Sequence, residues 1–175
     1  MGFELSRLRS AEWVIGIASA ALLVDAFLLP WYEVGFRVGD VYVSYARTSL
    51  DAWDSLTVLR FLVLLTALGG LAVWFAQATR ESPALPVVLT TIGMIPSALL
   101  VLTFIWRVLI DNPGIHGVPS NFVEAKLGAY IGLILSVALF LSIYRSLRED
   151  GVSSDIGSRG IEMLSLEPQS GGSRP

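Results

Sequence analysis

Four long apolar runs, separated by shorter polar intervals, dominate the hydrophobic pattern of this chain. They cover about residues 11–29, 56–78, 87–106 and 127–144. At about 1.5 Å rise per residue, helices of such length cross the ~30 Å hydrocarbon core of a bilayer. The pattern therefore predicts an all-α membrane protein, with a four-helix transmembrane bundle over residues 1–148.

The first apolar run also allows a second interpretation, a cleaved signal peptide, because Ala18, Ser19 and Ala20 have the composition of a cleavage site. The apolar stretch before these residues is short, however, and the stretch after them continues to Leu29. We therefore predict a retained span. It should end at Leu29, because Pro30 disfavours the helical conformation of the residue before it.

The interval of residues 30–55 differs from the runs on either side, because its apolar residues alternate with polar or small ones. The alternation covers residues 32–38 and 41–47, on either side of Gly39 and Asp40. Two such stretches joined by a two-residue loop containing glycine predict a β-hairpin. We therefore predict a small extracytoplasmic β-hairpin cap between spans one and two. Its aromatic residues, which suit the headgroup level of a membrane, are Trp31, Tyr32 and Trp53.

The composition excludes several classes of function. A chain with 54% hydrophobic and 15% charged residues is too apolar for an ordinary soluble domain. The absence of cysteine removes disulfides, thiolate catalysis and cysteine-based metal sites, and a net charge of −3 offers no basic surface for nucleic acid. No catalytic motif is present, and the single histidine, His116, has no second ligand nearby in sequence. We therefore expect no enzyme activity, no cofactor and no metal site.

Asp25 is the most informative polar residue within the apolar runs. It lies about one helical turn before Pro30, where an ionised carboxylate is costly unless it is paired. Arg60 and Arg107 should lie at a similar depth in spans two and three, so one hypothesis is an intramembrane ion pair that fixes the helix register. The alternative hypothesis makes Asp25 a proton or cation site.

A stripe of small residues marks one face of the fourth span. Gly128, Gly132 and Ser136 recur at every fourth position. Small residues at this spacing let two helix backbones approach closely. We expect the stripe to pack inside the bundle, because four spans in one chain already offer partners; the alternative is a dimer face.

The positions of the arginines suggest an orientation. A count of basic residues is equal on the two sides, but Arg7 and Arg9 precede the first span, which usually dominates insertion. We therefore predict a multi-pass protein of the cell membrane with both termini in the cytoplasm. Residues 149–175 are rich in Ser, Gly and Pro and contain few large apolar residues, so we predict a disordered cytoplasmic tail.

Three short motifs resemble those of uncharacterised small four-span membrane proteins of high-GC bacteria. They are Leu28-Leu29-Pro30-Trp31-Tyr32, Leu50-Asp51-Ala52-Trp53-Asp54-Ser55-Leu56 and Gly128-Ala129-Tyr130-Ile131-Gly132. The resemblance implies a fold but no activity. In topology the chain is also similar to the claudin group, whose first outer loop is a small sheet bearing tryptophan. The cysteine pair of that loop is absent here.

The sequence thus favours a non-enzymatic integral membrane protein that acts as an accessory, packing or sensing module. Its expected partners are the lipid bilayer and either another membrane protein or further copies of itself. The alternative is a transporter or channel component that uses Asp25 and forms its path by oligomerisation, because four spans with one embedded acid make a poor pore by themselves.

Overall fold

Helices account for most of the computed structural model, which describes residues 9–38, 41–79, 84–115 and 118–149. In chain order the helices are α1 (Ser10–Leu28), the short α2 (Ala52–Ser55), α3 (Leu59–Ala78), α4 (Ala84–Phe104) and α5 (Leu127–Glu149). A π-helical segment, Ile105–Ile110, continues α4. The four long helices are long and apolar enough to cross a membrane. The prediction of four long apolar helices is therefore confirmed.

The four long helices form a bundle in which each has two neighbours. The first, α1, packs against α3 and α5, and α4 packs against the same two helices. Consequently α1 and α4 lie diagonally across the bundle. Pro96 lies within α4.

The helix boundaries differ from the predicted ones in the second, third and fourth spans. The third was predicted over residues 87–106, whereas α4 begins at Ala84 and its π-helical continuation ends at Ile110. The second long helix begins at Leu59, because Asp51 caps α2 by accepting a hydrogen bond from the Asp54 backbone N–H at 2.8 Å, and the chain leaves the helical conformation at Leu56. The fifth helix extends to Glu149, whereas the predicted span ended at residue 144. The predicted disordered tail otherwise lies outside the described residues.

A small antiparallel sheet lies at one end of the bundle. Its strands are β1 (Tyr32–Val38), β2 (Val41–Leu50) and β3 (Val123–Ala125), in the order β2-β1-β3. The first strand has the predicted bounds, the second is longer than predicted, and their register shifts between Glu33 and Gly35. The third strand was not predicted, because three residues are too few to display an alternating pattern. The turn predicted at Gly39 and Asp40 lies outside the described residues.

Two apolar cores divide the bundle along its length. The sheet-end core joins the helices to the sheet and contains large aromatic side chains; its buried members are Leu22, Ala26, Trp31, Tyr32, Ala52, Leu56, Val63, Ala67, Leu100, Phe104, Val108, Ile115, Val123 and Ala129. The far-end core is smaller and consists of Ile15, Ala18, Val73, Leu139, Ile143 and Leu147. Of these two cores, only the sheet-end core therefore connects the helical bundle to the sheet.

The outward faces of the four long helices are also apolar. Soluble helices usually carry a polar face opposite the buried one, whereas these expose large hydrophobic side chains all along their length. Examples from each helix are Ile17 and Val24, Leu65 and Phe75, Ile92 and Leu102, and Ile134 and Leu141. The bundle therefore presents an apolar lateral surface.

Candidate functional site

Trp31 connects the sheet to the centre of the bundle. Its backbone N–H donates to the Leu50 carbonyl and its own carbonyl accepts from the Lys126 N–H, both at 2.8 Å. The indole is fully buried; its Nε1–H donates to the Asp25 carbonyl at 3.1 Å, and its ring meets Phe104 edge to face at 5.1 Å between centroids. Trp31 therefore contacts α1 and α4 while its backbone is held by the strands.

Tyr32, at the start of β1, is also fully buried. Its hydroxyl donates to the Arg107 carbonyl at 3.3 Å, and burial raises the pKa of this phenol. The sequence pattern predicts Trp31 and Tyr32 at the headgroup level of the cap. In the structure both side chains lie in the sheet-end core, where their polar atoms donate to the Asp25 and Arg107 carbonyls.

Asp25 lies in α1 directly beneath Trp31. Its side chain is buried, and neither carboxyl oxygen has a hydrogen-bond partner. A Cβ added at Gly132 of α5 would lie 2.9 Å from Asp25 Oδ2, so the carboxyl group rests against the glycine backbone of α5. An ionised carboxylate in such a place is unfavourable without a partner. The described residues therefore give the Asp25 carboxyl group neither a hydrogen-bond donor nor a counter-charge.

The small-residue stripe of α5 holds this arrangement together. A Cβ at Gly128 would lie 2.7 Å from the Pro30 carbonyl oxygen, and one at Gly132 would lie 2.5 Å from two carbons of the Trp31 ring. Ser136 is buried one turn further on, and its hydroxyl donates to the Leu133 carbonyl at 2.8 Å. Within this chain the stripe thus faces α1 and Trp31.

The predicted ion pair between Asp25 and an arginine is not formed. Arg107 instead lies 3.7 Å from Asp111, one turn further along its own helix. Arg60 has its guanidinium carbon 4.9 Å from the centroid of the Trp53 ring and 5.0 Å from that of Phe61. Similar depth along the bundle did not bring the charges together, because the arginine side chains contact the Trp53 and Phe61 rings and Asp111, while Asp25 faces α5.

Trp53 belongs to an aromatic group on the lateral surface at the sheet end. Its ring lies 5.5 Å from Phe27 and 6.2 Å from Phe61 between centroids. The Arg60 guanidinium lies over both Trp53 and Phe61, and one of its N–H groups reaches the Trp53 carbonyl at 3.4 Å. Of the three predicted cap aromatics, Trp53 alone is partly exposed.

A polar cleft of about 370 Å³ opens beside the third strand. Its lining includes Asn112, Asn121, Glu124 and Tyr130. The Asn112 side chain donates to the Val123 carbonyl at 2.9 Å and so anchors this strand to the end of the π-helical segment. This hydrogen bond therefore joins two of the residues that line the cleft.

The described part of the chain contains no group of three or more His, Asp or Glu side chains that could hold a metal ion. His116 lies outside the described residues. The arrangement around Asp25 supplies one carboxyl, one indole and a glycine backbone, and it brings no nucleophile and base together. The Asp25 carboxyl is therefore the one group in this arrangement that could bind a ligand.

Two close contacts at the far end were not predicted from the sequence. A Cβ at Gly16 of α1 would lie 2.5 Å from the Trp74 ring, and Gly70 of α3 lies against Ser19. Trp13 adds an edge-to-face contact with Trp74 at 6.2 Å. Gly16 is an isolated glycine and Gly70 is the second of the pair Gly69-Gly70, both inside apolar runs. From the sequence, only the presence of glycine inside a helical pattern could have marked these positions.

Comparison with known proteins finds no family model, no curated protein and no solved structure that matches this chain.

Proposed function

We propose that this protein is an integral membrane protein with the helical bundle in the bilayer and the sheet outside it. The observation that carries the proposal is the apolar lateral surface formed by all four long helices. In water such a surface would be a large exposed apolar patch, whereas a helical bundle in a bilayer is expected to have an apolar surface against the lipid. The proposed location is the cell membrane, and the arginines that precede the first span support the proposal that both termini are cytoplasmic.

The distribution of tryptophan and tyrosine supports this placement. Such side chains concentrate at the two interfaces between a membrane and water. Apart from the buried Trp31 and Tyr32, those at the sheet end include Trp53, Trp106 and Tyr130, and those at the far end include Trp13, Trp74 and Tyr144. On α5, Tyr130 and Tyr144 are separated by about 21 Å of helix at ~1.5 Å per residue. This separation fits two belts flanking a hydrocarbon layer.

Within the membrane, the proposed role is that of a non-enzymatic accessory, packing or sensing module. Leu100, Phe104 and Trp31 fill the bundle at the sheet end, where a conducting path would need polar walls. The second strand is at the edge of the sheet and exposes Val41 and Val43, which are 65% and 39% accessible. An edge strand with exposed apolar side chains offers a surface for another protein.

Co-purification tests the accessory role. The full-length protein, solubilised in mild detergent, should co-elute with one partner in a fixed ratio, identified by mass spectrometry. Replacing Val41 and Val43 by Thr, which keeps the β-branched shape, should release the partner and leave the bundle folded. A partner retained by this variant, or no partner in a fixed ratio, would contradict the proposal.

Asp25 supports a second candidate function, an oligomeric transporter or channel component. A buried carboxyl without hydrogen-bond donors is the kind of group that carries protons or cations in membrane transport. Proton flux into liposomes containing the purified protein would distinguish this function from the first. Flux that is lost on Asp25→Asn would favour transport, and the absence of flux in both proteins would favour the accessory module.

A further inference from the structure

We propose that Arg60, together with the rings of Trp53 and Phe61, binds the phosphate of an anionic phospholipid at the sheet end of the bundle. The inference rests on the proposed membrane location. The guanidinium lies within 5.0 Å of both ring centroids, in a geometry that holds the cation over their faces. The two rings thus fix the direction in which the guanidinium points.

The charge of Arg60 is not neutralised within the described structure. Its polar contact is a 3.4 Å hydrogen bond to the Trp53 carbonyl, and its Nε–H is buried without a partner. Asp51 and Asp54 are close in sequence, but Asp51 caps α2 and neither carboxylate forms an ion pair with Arg60. A guanidinium next to apolar surface is unfavourable unless an anion compensates it. The anion must therefore come from outside the described residues.

Arg107 provides the internal comparison. It lies at the same end of the bundle, but Asp111 neutralises it from 3.7 Å. Lys126 is likewise neutralised by Glu33 and Glu124. Arg107 and Lys126 contact carboxylates, whereas Arg60 contacts the faces of two aromatic rings. This contrast points to a ligand that brings its own negative charge.

The surroundings of Arg60 fit a phospholipid better than a free anion. Phe27, Trp53 and Leu64 line a crevice of about 10 Å³ next to the guanidinium, which is too small for an acyl chain. Phe61, on the same helix as Arg60, exposes more than half of its surface. A phosphate over the guanidinium would thus leave the acyl chains along apolar side chains. The planar guanidinium can donate two parallel hydrogen bonds to phosphate oxygens.

The start of α3 adds a smaller contribution in the same place. Arg60 is the second residue of this helix, and the N-cap residue, Val58, makes no side-chain hydrogen bond to the first turn. A helix N-terminus carries a partial positive charge, which favours a nearby anion. The backbone N–H groups of Arg60 and Phe61 already donate to the Leu56 and Val58 carbonyls. This end of the helix would therefore contribute only its dipole.

Native mass spectrometry of the purified full-length protein, titrated with phosphatidylglycerol and with phosphatidylcholine, tests the proposal. The wild-type protein should retain phosphatidylglycerol more strongly, and Arg60→Gln should weaken that binding about tenfold or more, as loss of a charge-assisted contact implies. Arg60→Lys should lose less, because it keeps the charge but not the planar group. Arg107→Gln is the matched control and should bind as the wild type does.

Equal retention of phosphatidylglycerol by Arg60→Gln and the wild type, or an equal loss in Arg107→Gln, would overturn the proposal. Inorganic phosphate should not displace the lipid at millimolar concentration; displacement would indicate a soluble phosphate compound instead. Thermal unfolding shows whether each variant is folded. If Arg60→Gln does not fold, the comparison of Arg60→Lys with the wild type tests the proposal. Insertion into the membrane is measured separately by cysteine labelling, so an inserted protein without lipid selectivity refutes this inference alone.

Discussion

The sheet-end and far-end cores use different means to hold the same four helices together. At the sheet end, Trp31 and Tyr32 fill the interior with aromatic rings, and each is also tied to a backbone carbonyl by a side-chain hydrogen bond. At the far end, the core is aliphatic, and Gly16 and Gly70 permit close contacts between α1 and α3. The first core depends on one large residue, and the second depends on many small contacts.

This difference has a consequence for single substitutions. A buried tryptophan that contacts three elements cannot be removed without a large cavity, whereas an aliphatic contact can be lost with partial relaxation of its neighbours. We therefore expect the sheet-end core to be the more sensitive of the two. The following predictions are given from the largest expected effect to the smallest.

Removal of the Trp31 ring should have the largest effect. Trp31→Ala creates a cavity beneath the sheet and should lower the free energy of unfolding by about 3–5 kcal/mol. The measurement is reversible unfolding in mixed micelles. Trp106→Ala is the control, because that side chain is 54% exposed and packs little. A loss in Trp31→Ala no greater than in the control would contradict the role given to the sheet-end core.

Replacing a closely packed glycine by alanine should cost more in the sheet-end core than in the far-end core. Gly132→Ala places a Cβ against the fully buried Trp31 ring and should cost about 1–3 kcal/mol. Gly16→Ala meets Trp74, a partly exposed ring that can move toward the surface, so it should cost less.

Gly93→Ala serves as the matched control for these two variants. Nothing lies within 4 Å of a Cβ at this position, so the change should stabilise α4 by up to ~1 kcal/mol through helix propensity alone. The comparison uses the same unfolding measurement. A larger loss for Gly16→Ala than for Gly132→Ala would reverse the ranking of the two cores.

The hydroxyl of Tyr32 should contribute a smaller amount. Tyr32→Phe removes the hydrogen bond to the Arg107 carbonyl and should cost about 0.5–1.5 kcal/mol at neutral pH. Because burial raises the pKa of this phenol, its contribution is complete below the unfolded pKa near ~10 and is lost as the pH rises above it. Unfolding followed from pH 8 to pH 11 should thus show a steeper loss in the wild type than in Tyr32→Phe. If the unfolding free energies of the two proteins fall in parallel with pH, the Tyr32 hydroxyl is not buried as described.

The smallest expected effect is the coupling between Asp25 and Arg60. The structure forms no ion pair between them, so the changes in unfolding free energy for Asp25→Asn and Arg60→Gln should add within about 0.5 kcal/mol in the double variant. Asp25→Asn alone should not destabilise the protein, since it removes a carboxyl that has no partner. A coupling above ~1 kcal/mol would restore the ion pair that the sequence suggested.

The sequence predicted the long helices and the first strand because their signals are local. Apolar runs of about 18 residues or more and a period-two alternation can be recognised without knowing which elements pack together. The burial of Trp31 and the third strand could not be predicted in that way, since both depend on residues more than 70 positions away, such as Phe104 and Lys126.

The candidate site shows the same limit. Asp25 was recognised because a carboxyl group in an apolar run is rare, and the small residues of α5 were recognised from their spacing. The residues that surround Asp25 were not recognised, because spacing along one helix does not specify which of its faces contacts the neighbouring helix. Depth along the bundle suggested Arg60 and Arg107 as partners, whereas the side-chain directions in the structure place them elsewhere.

Single-cysteine labelling tests most directly whether the sheet and the far end lie on opposite sides of a membrane. The chain has no native cysteine, so Ser49→Cys and Asn121→Cys report on the sheet end, and Glu149→Cys reports on the far end; all three positions are exposed. With intact cells and a membrane-impermeant maleimide, the first two variants should be labelled and the third only after permeabilisation. Labelling of Glu149→Cys in intact cells together with the other two would contradict a bundle that spans the membrane. Labelling of Glu149→Cys alone would reverse the proposed orientation.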